Sequence, residues 1–281
     1  METKVSSASQ EVLIGDNRPT VLIGERINPS GKKKLSEALK EQNFDVIRDE
    51  AISQVEAGAD ILDVNVVTSG VDEVAMLPKV VEVVLGVVKV PLCLDINNAS
   101  ALKEALTIYP GKPIVNSVSG EEKSLNEVLP LVKEYGTAVI GLTLDDDGIP
   151  KEAGKRVEIA NKIIERAESI GIPREDVIID GLALSIGSDS HAGMVTLETI
   201  RRIRDELGAN QNLGASNVSF GLPNRTLLNQ VFLALAIANG LTCPTVNVAK
   251  VRSAILATDL TLGRDRYAMR YIQDFRKSSG V

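Results

Sequence analysis

AGADILDVNV, residues 57–66, contains the repeating unit from which the whole chain is built. The stretch before it, about 45–57, places apolar residues at helical spacing, and Gly58 follows where a helix ends on a residue at positive φ. Ile61 and Leu62 then begin a short apolar run that reads as a buried strand. The run stops on Asp63 and Asn65. A strand buried on both faces has no packing use for a carboxylate and an amide at its tip. A ring of parallel strands whose C-terminal ends open onto one cavity does have a use for them.

Outward from this stretch the ending repeats. Residues 21–24 run into Glu25, Arg26 and Asn28, and Leu92-Cys93-Leu94 ends on Asp95, Asn97 and Asn98. Asn116 follows Ile114-Val115, Asp180 follows 177–179, Asn217 follows 214–216 and Asn247 follows Val246. The pattern predicts strands at about 20–24, 61–65, 92–95, 113–116, 138–143, 177–180, 213–216 and 244–248. Helical patterns fall between them, near 45–57, 72–88, 99–107, 124–135, 151–170, 194–207, 225–239 and 249–262. Gly136, Gly171 and Gly240 follow helices as Gly58 does, and Asp72, Ser124 and Asn224 stand where N-caps are needed. Strict strand–helix alternation implies parallel strands with crossover helices, and eight units in 281 residues predict an α/β fold, a single (β/α)8 TIM barrel. The rival, a doubly wound open sheet, calls for a GxGxxG turn after the first strand, and none is present. Residues 1–17 are expected to be an N-terminal extension, disordered or covering the barrel bottom. Residues 18–281 are expected to be the barrel with a C-terminal helix and a polar tail.

Composition narrows the function. The chain is 44% hydrophobic and 25% charged, with a net charge of −7. No basic stripe is available to neutralise a phosphate backbone, so no nucleic-acid partner is expected. The longest apolar run, 231–238, is far shorter than the ~20 residues that span a bilayer, so no membrane partner is expected. METKVSSASQEV lacks the apolar core of a signal peptide. Cys93 and Cys243 read as buried free thiols, and the expected compartment is the cytoplasm. The one basic run, Lys32-Lys33-Lys34, reads as a solvated loop or helix start, the alternative being a lure for an anionic ligand tail.

On the barrel's C-terminal face the tip residues Glu25, Asn28, Asp63, Asn65, Asp95, Asn98, Asn116, Asp180 and Asn217 converge. No HxH or HExxH occurs and the chain has one His, too few soft ligands for zinc; the Asn residues interleaved among the Asp do not suit Mg²⁺, so no metal is expected. No GxSxG or Cys–His arrangement supplies a nucleophile, and the only lysine near a tip is Lys250. What remains is a hydrogen-bonding ring in which Asp accepts and Asn both donates and accepts. Such a set suits a flat heterocycle with fused donors and acceptors, for example a pterin, whose 2-amino-4-oxo edge offers two N–H groups to one carboxylate. Helix capping competes as an explanation, most strongly for Asp63 and Asn98.

VLIGERIN (21–28), AGADILDVNV (57–66), LCLDINN (92–98), IVNSVSG (114–120), IIDGLAL (178–184) and GASNVSFGLPNR (214–225), in this order and spacing, resemble the pterin-binding barrel of folate-dependent methyltransferases over about residues 18–262. The resemblance is strongest to the methyltetrahydrofolate:corrinoid (iron–sulfur) protein methyltransferases, whose barrel is shared by the folate module of methionine synthase and by dihydropteroate synthase. It implies transfer of the N5-methyl group between methyltetrahydrofolate and the cobalt of a corrinoid. It implies that Asp95, Asn116 and Asp180 hold the pterin, that Asn217 lies beside N5, and that Asp63 and Asn65 complete the floor. Glu25, Asn28 and Arg225 are implied as further substrate contacts, with Asn217, Asp180 and Asp63 as the catalytic group: Asn217 hydrogen-bonds N5 with Asp63, Asp180 or water behind it. The corrinoid is expected from a partner protein or from solution. Corrinoid modules carry Asp-x-His-x-x-Gly, and Asp189-Ser-His191-Ala-Gly193 brings the glycine one place early. A homodimer is also implied, with 231–238 on a late helix as its only trace in the sequence. Two alternatives stand beside this reading: a dihydropteroate-synthase-like enzyme, although 244–252 lacks that enzyme's Ser-x-Arg and Arg-x-His pattern, and a non-catalytic pterin-binding subunit.

Overall fold

In a computed structural model, which describes residues 1–279, eight strands close into a parallel barrel and the open-sheet alternative falls away. Two further strands, β1 (Glu2–Ser6) and β2 (Glu11–Gly15), form an antiparallel hairpin ahead of it. The barrel strands are β3 (Ile23–Ile27), β4 (Ile61–Val64), β5 (Leu92–Asp95), β6 (Ile114–Ser119), β7 (Ala138–Leu142), β8 (Val177–Asp180), β9 (Gln211–Gly214) and β10 (Cys243–Val246). They pair in sequence order, with β10 closing against β3. The outer layer carries α1 (Lys33–Glu41), α2 (Asp45–Glu56), α3 (Glu73–Leu85), α4 (Ala99–Ile108) and α5 (Glu122–Tyr135). It continues with α6 (Ala153–Ser169), α7 (Ala192–Arg202), α8 (Arg225–Asn239), α9 (Val248–Thr261) and α10 (Met269–Ser279). The end of the polar tail lies outside the described residues.

Two buried clusters follow from the alternation of side chains along each strand. The larger fills the space between barrel and helices, where Leu22, Leu62, Leu92, Val115, Val139 and Ile179 meet the helical apolar faces. The smaller lies inside the barrel: Ile23, Ile61, Cys93, Ile114, Ile178 and Cys243 point inward, joined by Val5 and Ile14 from the hairpin. The N-terminal extension is therefore an ordered cover. Asn210 at the foot of β9 donates to Thr3 Oγ1 (2.9 Å) and to the Ile14 carbonyl (3.1 Å), and Ser6 exchanges two backbone bonds with Lys112 below β6. Sealing the bottom leaves the C-terminal end as the open face.

Helix ends were legible. Gly58 has φ +96 and Gly136 has φ +62, conformations that a residue with a Cβ adopts at a cost. Asp72 caps α3 by accepting from Val74 N (3.0 Å). Ser124 does not cap α5, which begins earlier, and its hydroxyl accepts instead from Ser119 N (2.9 Å). Asn224 stands at the N-cap of α8 but is left-handed and makes no capping bond. Around Lys32–Lys34 a short helix, α1, begins where a loop or a helix start was expected.

Strand positions shift where they matter. β3 starts three residues later than the expected strand at 20–24 and extends to Ile27, and its register against β4 slips between Gly24 and Ile27. Glu25 and Arg26 occupy that irregularity, which turns side chains that would otherwise alternate in and out. A second slip in β6, between Asn116 and Val118, does the same beside Asn116. β9 ends at Gly214, so residues 215–219 form a single 3-10 turn across the mouth.

Candidate active site

The tip residues fall into two groups on opposite sides of the mouth. On β4, β5 and β6, Asn65 Nδ2 donates to Asp95 Oδ2 (2.9 Å) and Asn116 Nδ2 donates to Asp63 Oδ1 (3.1 Å). Asn65 Oδ1 also accepts from Val67 N (2.8 Å), which fixes the orientation of its amide. Asp63 is only 2% exposed, and the Cys93 thiol lies against it. Burial, then the neighbouring Asp95 carboxylate, push Asp63 well above the usual carboxylate range. Asp95 is raised by burial, against the opposing hydrogen bond from Asn65. Two carboxylates this close in a dry floor resist carrying two negative charges at once.

The second group spans β8, β9 and β3. Asp180 Oδ1 accepts from Leu182 N (2.8 Å) and Oδ2 from Gly214 N (3.3 Å). Burial nevertheless raises Asp180 to about 6, the backbone donors and Arg156 pulling the other way. Glu25 Oε1 accepts from Ser216 Oγ (3.2 Å), and burial raises Glu25 as well. Arg225 donates to the Ser216 carbonyl (2.7 Å) and Ser219 Oγ (3.0 Å), and its guanidinium lies 5.8 Å from the Phe220 ring. It thereby braces the turn that carries Asn217.

Asn217 itself is exposed at the mouth, and its side chain makes no hydrogen bond among the described residues. The expected backing of Asn217 by Asp63 or Asp180 is not found: Asp63 is engaged with Asn116 and Cys93, and Asp180 with two backbone amides. Asn28 folds back on its own turn, its Oδ1 accepting from Ser30 N (2.9 Å). Asn98 is a helix cap, accepting from Ser100 N (3.0 Å) and Ala101 N (3.2 Å). Capping thus accounts for Asn98 but not for Asp63.

Sequence reasoning missed Arg156. Only 1% exposed, it donates to the carbonyls of Pro150 (2.8 Å), Gly181 (2.8 Å) and Leu182 (2.7 Å), and so ties α6 to the loop that holds Asp180. The signal was available: Arg156 stands four residues before Ala160 and seven before Ile163, on the buried stripe of α6.

Two clefts flank the ring. One, of about 210 Å³, is lined by Glu25, Ser216, Arg225, Asn247 and Lys250. Across the mouth, Asn97, Ser117, Ser119, Leu142 and Leu144 line another of about 510 Å³. Among the described residues no group of three or more His, Cys, Asp or Glu side chains is placed to hold a metal ion. His191 sits at the start of α7 with its side chain 87% exposed. No helix of the described residues is long and apolar enough to cross a membrane.

The chain is 33% identical over 267 residues to a methylcorrinoid:tetrahydrofolate methyltransferase of Eubacterium limosum, covering 92% of this chain and 96% of that one. It is 31% identical over 263 residues to the methionine synthase of Mycobacterium tuberculosis, covering 89% of this chain but 22% of that larger protein. Dihydropteroate synthase from Xanthomonas albilineans, solved with 7,8-dihydropteroate, shares the fold with a TM-score of 0.69 at 19% identity, over 92% of this chain and 98% of that one. The profile of the pterin binding enzyme family matches residues 24–247, and the chain belongs to that family.

Proposed function

We propose that this protein is a methyltransferase that moves the N5-methyl group between methyltetrahydrofolate and the cobalt of a corrinoid. The observation that carries the reading is the ring itself: buried carboxylates and oriented amides beside one amide, Asn217, that is committed to nothing. Asp95, Asn116 and Asp180 take the pterin, Asp180 receiving two ring-edge N–H groups. Asn65 and Asp63 act one layer further out, Asn65 steadying Asp95 and Asp63 steadying Asn116. Glu25 and Arg225 border the ligand on the other side and Asn28 shapes the loop beside it.

The chemistry follows from the leaving group. When the N5–CH₃ bond breaks, its electron pair stays on nitrogen, and a bare nitrogen anion is a very poor leaving group. A donor that binds N5 more strongly as it gains negative character, or as it accepts a proton, lowers the barrier selectively. In this reading Asn217 is that donor, with the proton drawn from water at the open mouth; its uncommitted side chain supports the assignment. The corrinoid is a substrate that supplies the attacking electron pair, and it reaches the same face from a partner protein or from solution. The relative from Eubacterium limosum is named for that pair of reactants. Identity to the dihydropteroate synthase fold neighbours stays at 17–21%, which supports the methyltransferase reading over the synthase one.

A homodimer belongs to this reading. Leu227, Val231 and Leu235, at four-residue spacing along α8, are 53%, 53% and 49% exposed, an apolar stripe that suits a self-complementary contact. Cytoplasmic residence is favoured by Cys93 and Cys243, both free and buried. The deciding experiment is anaerobic: mix the protein with methyltetrahydrofolate and cob(I)alamin and follow the cob(I)alamin absorbance. Catalysed decay is expected. No decay, with the ligand nonetheless bound, would establish a non-catalytic pterin-binding subunit instead.

A further inference from the structure

Three cavities at the barrel mouth share walls. The cleft beside Glu25 and Arg225 shares Asn247 and Lys250 with a second, of about 400 Å³, between α2 and the start of α9. That one shares Arg26, Glu50 and Ser53 with a third, also about 400 Å³, which ends at Lys32, Lys33 and Lys34. Together they form a groove that leaves the ring on the β3–β10 side and runs outward past α2 to α1.

The groove is basic in an acidic protein. Six cationic side chains line it against three carboxylates, while the chain as a whole carries −7. Much of the acid is already spoken for: Glu50 pairs with Arg26 at 3.1 Å and Glu25 accepts from Ser216. Lys32 is committed to the backbone, donating to the carbonyls of Glu25 (3.3 Å) and Arg26 (2.9 Å), and Lys33 lies 3.7 Å from Glu37. Lys34 at one end and Lys250 near the other make no ion pair among the described residues, and both are exposed. An extended ligand carrying several negative charges at intervals matches this layout, whereas a single small anion does not.

We propose that the groove binds the γ-linked polyglutamate tail of folate coenzymes, making polyglutamylated methyltetrahydrofolate the preferred substrate. This rests on the folate reading above and adds to it a subsite with its own specificity. The pterin sits among the strand tips, the aminobenzoyl unit leaves past Glu25 and Arg225, and successive glutamates meet Lys250, Arg26 and the Lys32–Lys34 turn. Each exposed pairing strengthens binding a few-fold at low salt and less at high salt.

The test measures dissociation constants of the full chain for mono-, tri- and pentaglutamyl tetrahydrofolate, beside the double variant Lys33→Glu/Lys34→Glu at the far end of the groove. Two added glutamates are expected to tighten binding about tenfold at low salt. The gain should shrink as salt rises, and the variant should lose it while binding the monoglutamate as before. Equal affinity for all three forms, or a variant that keeps the gain, overturns the groove and leaves the folate reading standing. Failure of every form to bind overturns the folate reading and the groove with it. A variant that keeps the glutamate gain and loses turnover only with a corrinoid protein would reassign the basic strip to protein docking.

Discussion

Asp180 gives the sharpest test of the site because burial holds its carboxyl near about 6 rather than 3.8. That rise corresponds to about 3 kcal/mol by which folding disfavours the ionised form. Its sign for stability follows by linkage. Between 3.8 and about 6 the native chain binds more protons at this site than the unfolded chain, so this contribution falls as pH rises through about 6 and recovers toward pH 4. Pterin binding runs in the opposite direction. The ring edge presents N–H donors, which only the carboxylate accepts at both oxygens, so the apparent dissociation constant scales inversely with the fraction of ionised Asp180. Relative to pH 8, a single such group raises it about twofold at pH 6 and about elevenfold at pH 5. Asp95, also raised by burial, can only steepen the fall. Binding at pH 6 should release about half a proton from Asp180, visible as a buffer-dependent heat in titration calorimetry. In Asp180→Asn the affinity should be weaker throughout, and its pH slope should lose about one proton. An affinity that stays flat from pH 8 to pH 5, or one that tightens on acidification, would refute the assignment of an ionised Asp180 to the ring edge.

Other expectations follow from the same geometry. Asn217→Ala should lower kcat/KM about 10²–10³-fold if its amide assists departure of N5, with pterin affinity changed far less, because removal of one donor to developing charge costs that much elsewhere; near-wild-type turnover rejects that role. Arg156→Met takes the donor from three carbonyls, that of Gly181 buried and those of Pro150 and Leu182 part-buried, and should cost about 1–3 kcal/mol in denaturant unfolding. It should also move the acid limb of pterin binding to higher pH, since a cation near Asp180 is gone, and Arg156→Lys should restore the limb better than the stability. Asn98→Ala should cost about 1 kcal/mol of stability with pterin affinity unchanged, as expected of a cap that touches no ligand. Val231→Lys should leave a folded monomer in sedimentation if the α8 stripe is a dimer contact, and an unchanged mass would remove that stripe from consideration.

Which parts of this structure were legible in the sequence depended on how local their physics is. The strand–helix order was legible because the apolar period is local, and the helix ends because Gly58 and Gly136 sit where positive φ is needed. The hairpin was harder, since two five-residue strands flank a polar turn and few of their side chains, Val5 and Ile14 foremost, are buried in the barrel interior. Register slips in β3 and β6 leave no mark in the apolar pattern, yet they aim Glu25 and Asn116. Arg156 was missed because a lone arginine in a helix ordinarily faces water, and only the stripe it occupies tells otherwise.

Among the tip residues, the sequence could say where each would stand but not what would already be bonded to it, and that second fact sorts them. Asn98 and Asn28 spend their acceptors on nearby backbone amides, so a ligand would have to displace a cap or a turn to use them. Asn65 has both ends engaged, one on Val67 N and one on Asp95, which makes it a brace. Asp95 and Asn116 are each held at one atom, and Asp180 accepts one backbone amide at each oxygen; all three keep hydrogen-bonding capacity in reserve, and for Asp95 and Asp180 burial raises the cost of leaving the charge unanswered. A polar ring held at that cost in a sealed-bottom barrel is stabilised when a ligand with matching N–H groups arrives, so binding strength and apo-state strain have one source. Asn217 differs from all of them in that no hydrogen bond among the described residues competes for its amide, and its position on a 3-10 turn braced by Arg225 keeps that amide at the open edge, where the proposed reaction needs a donor.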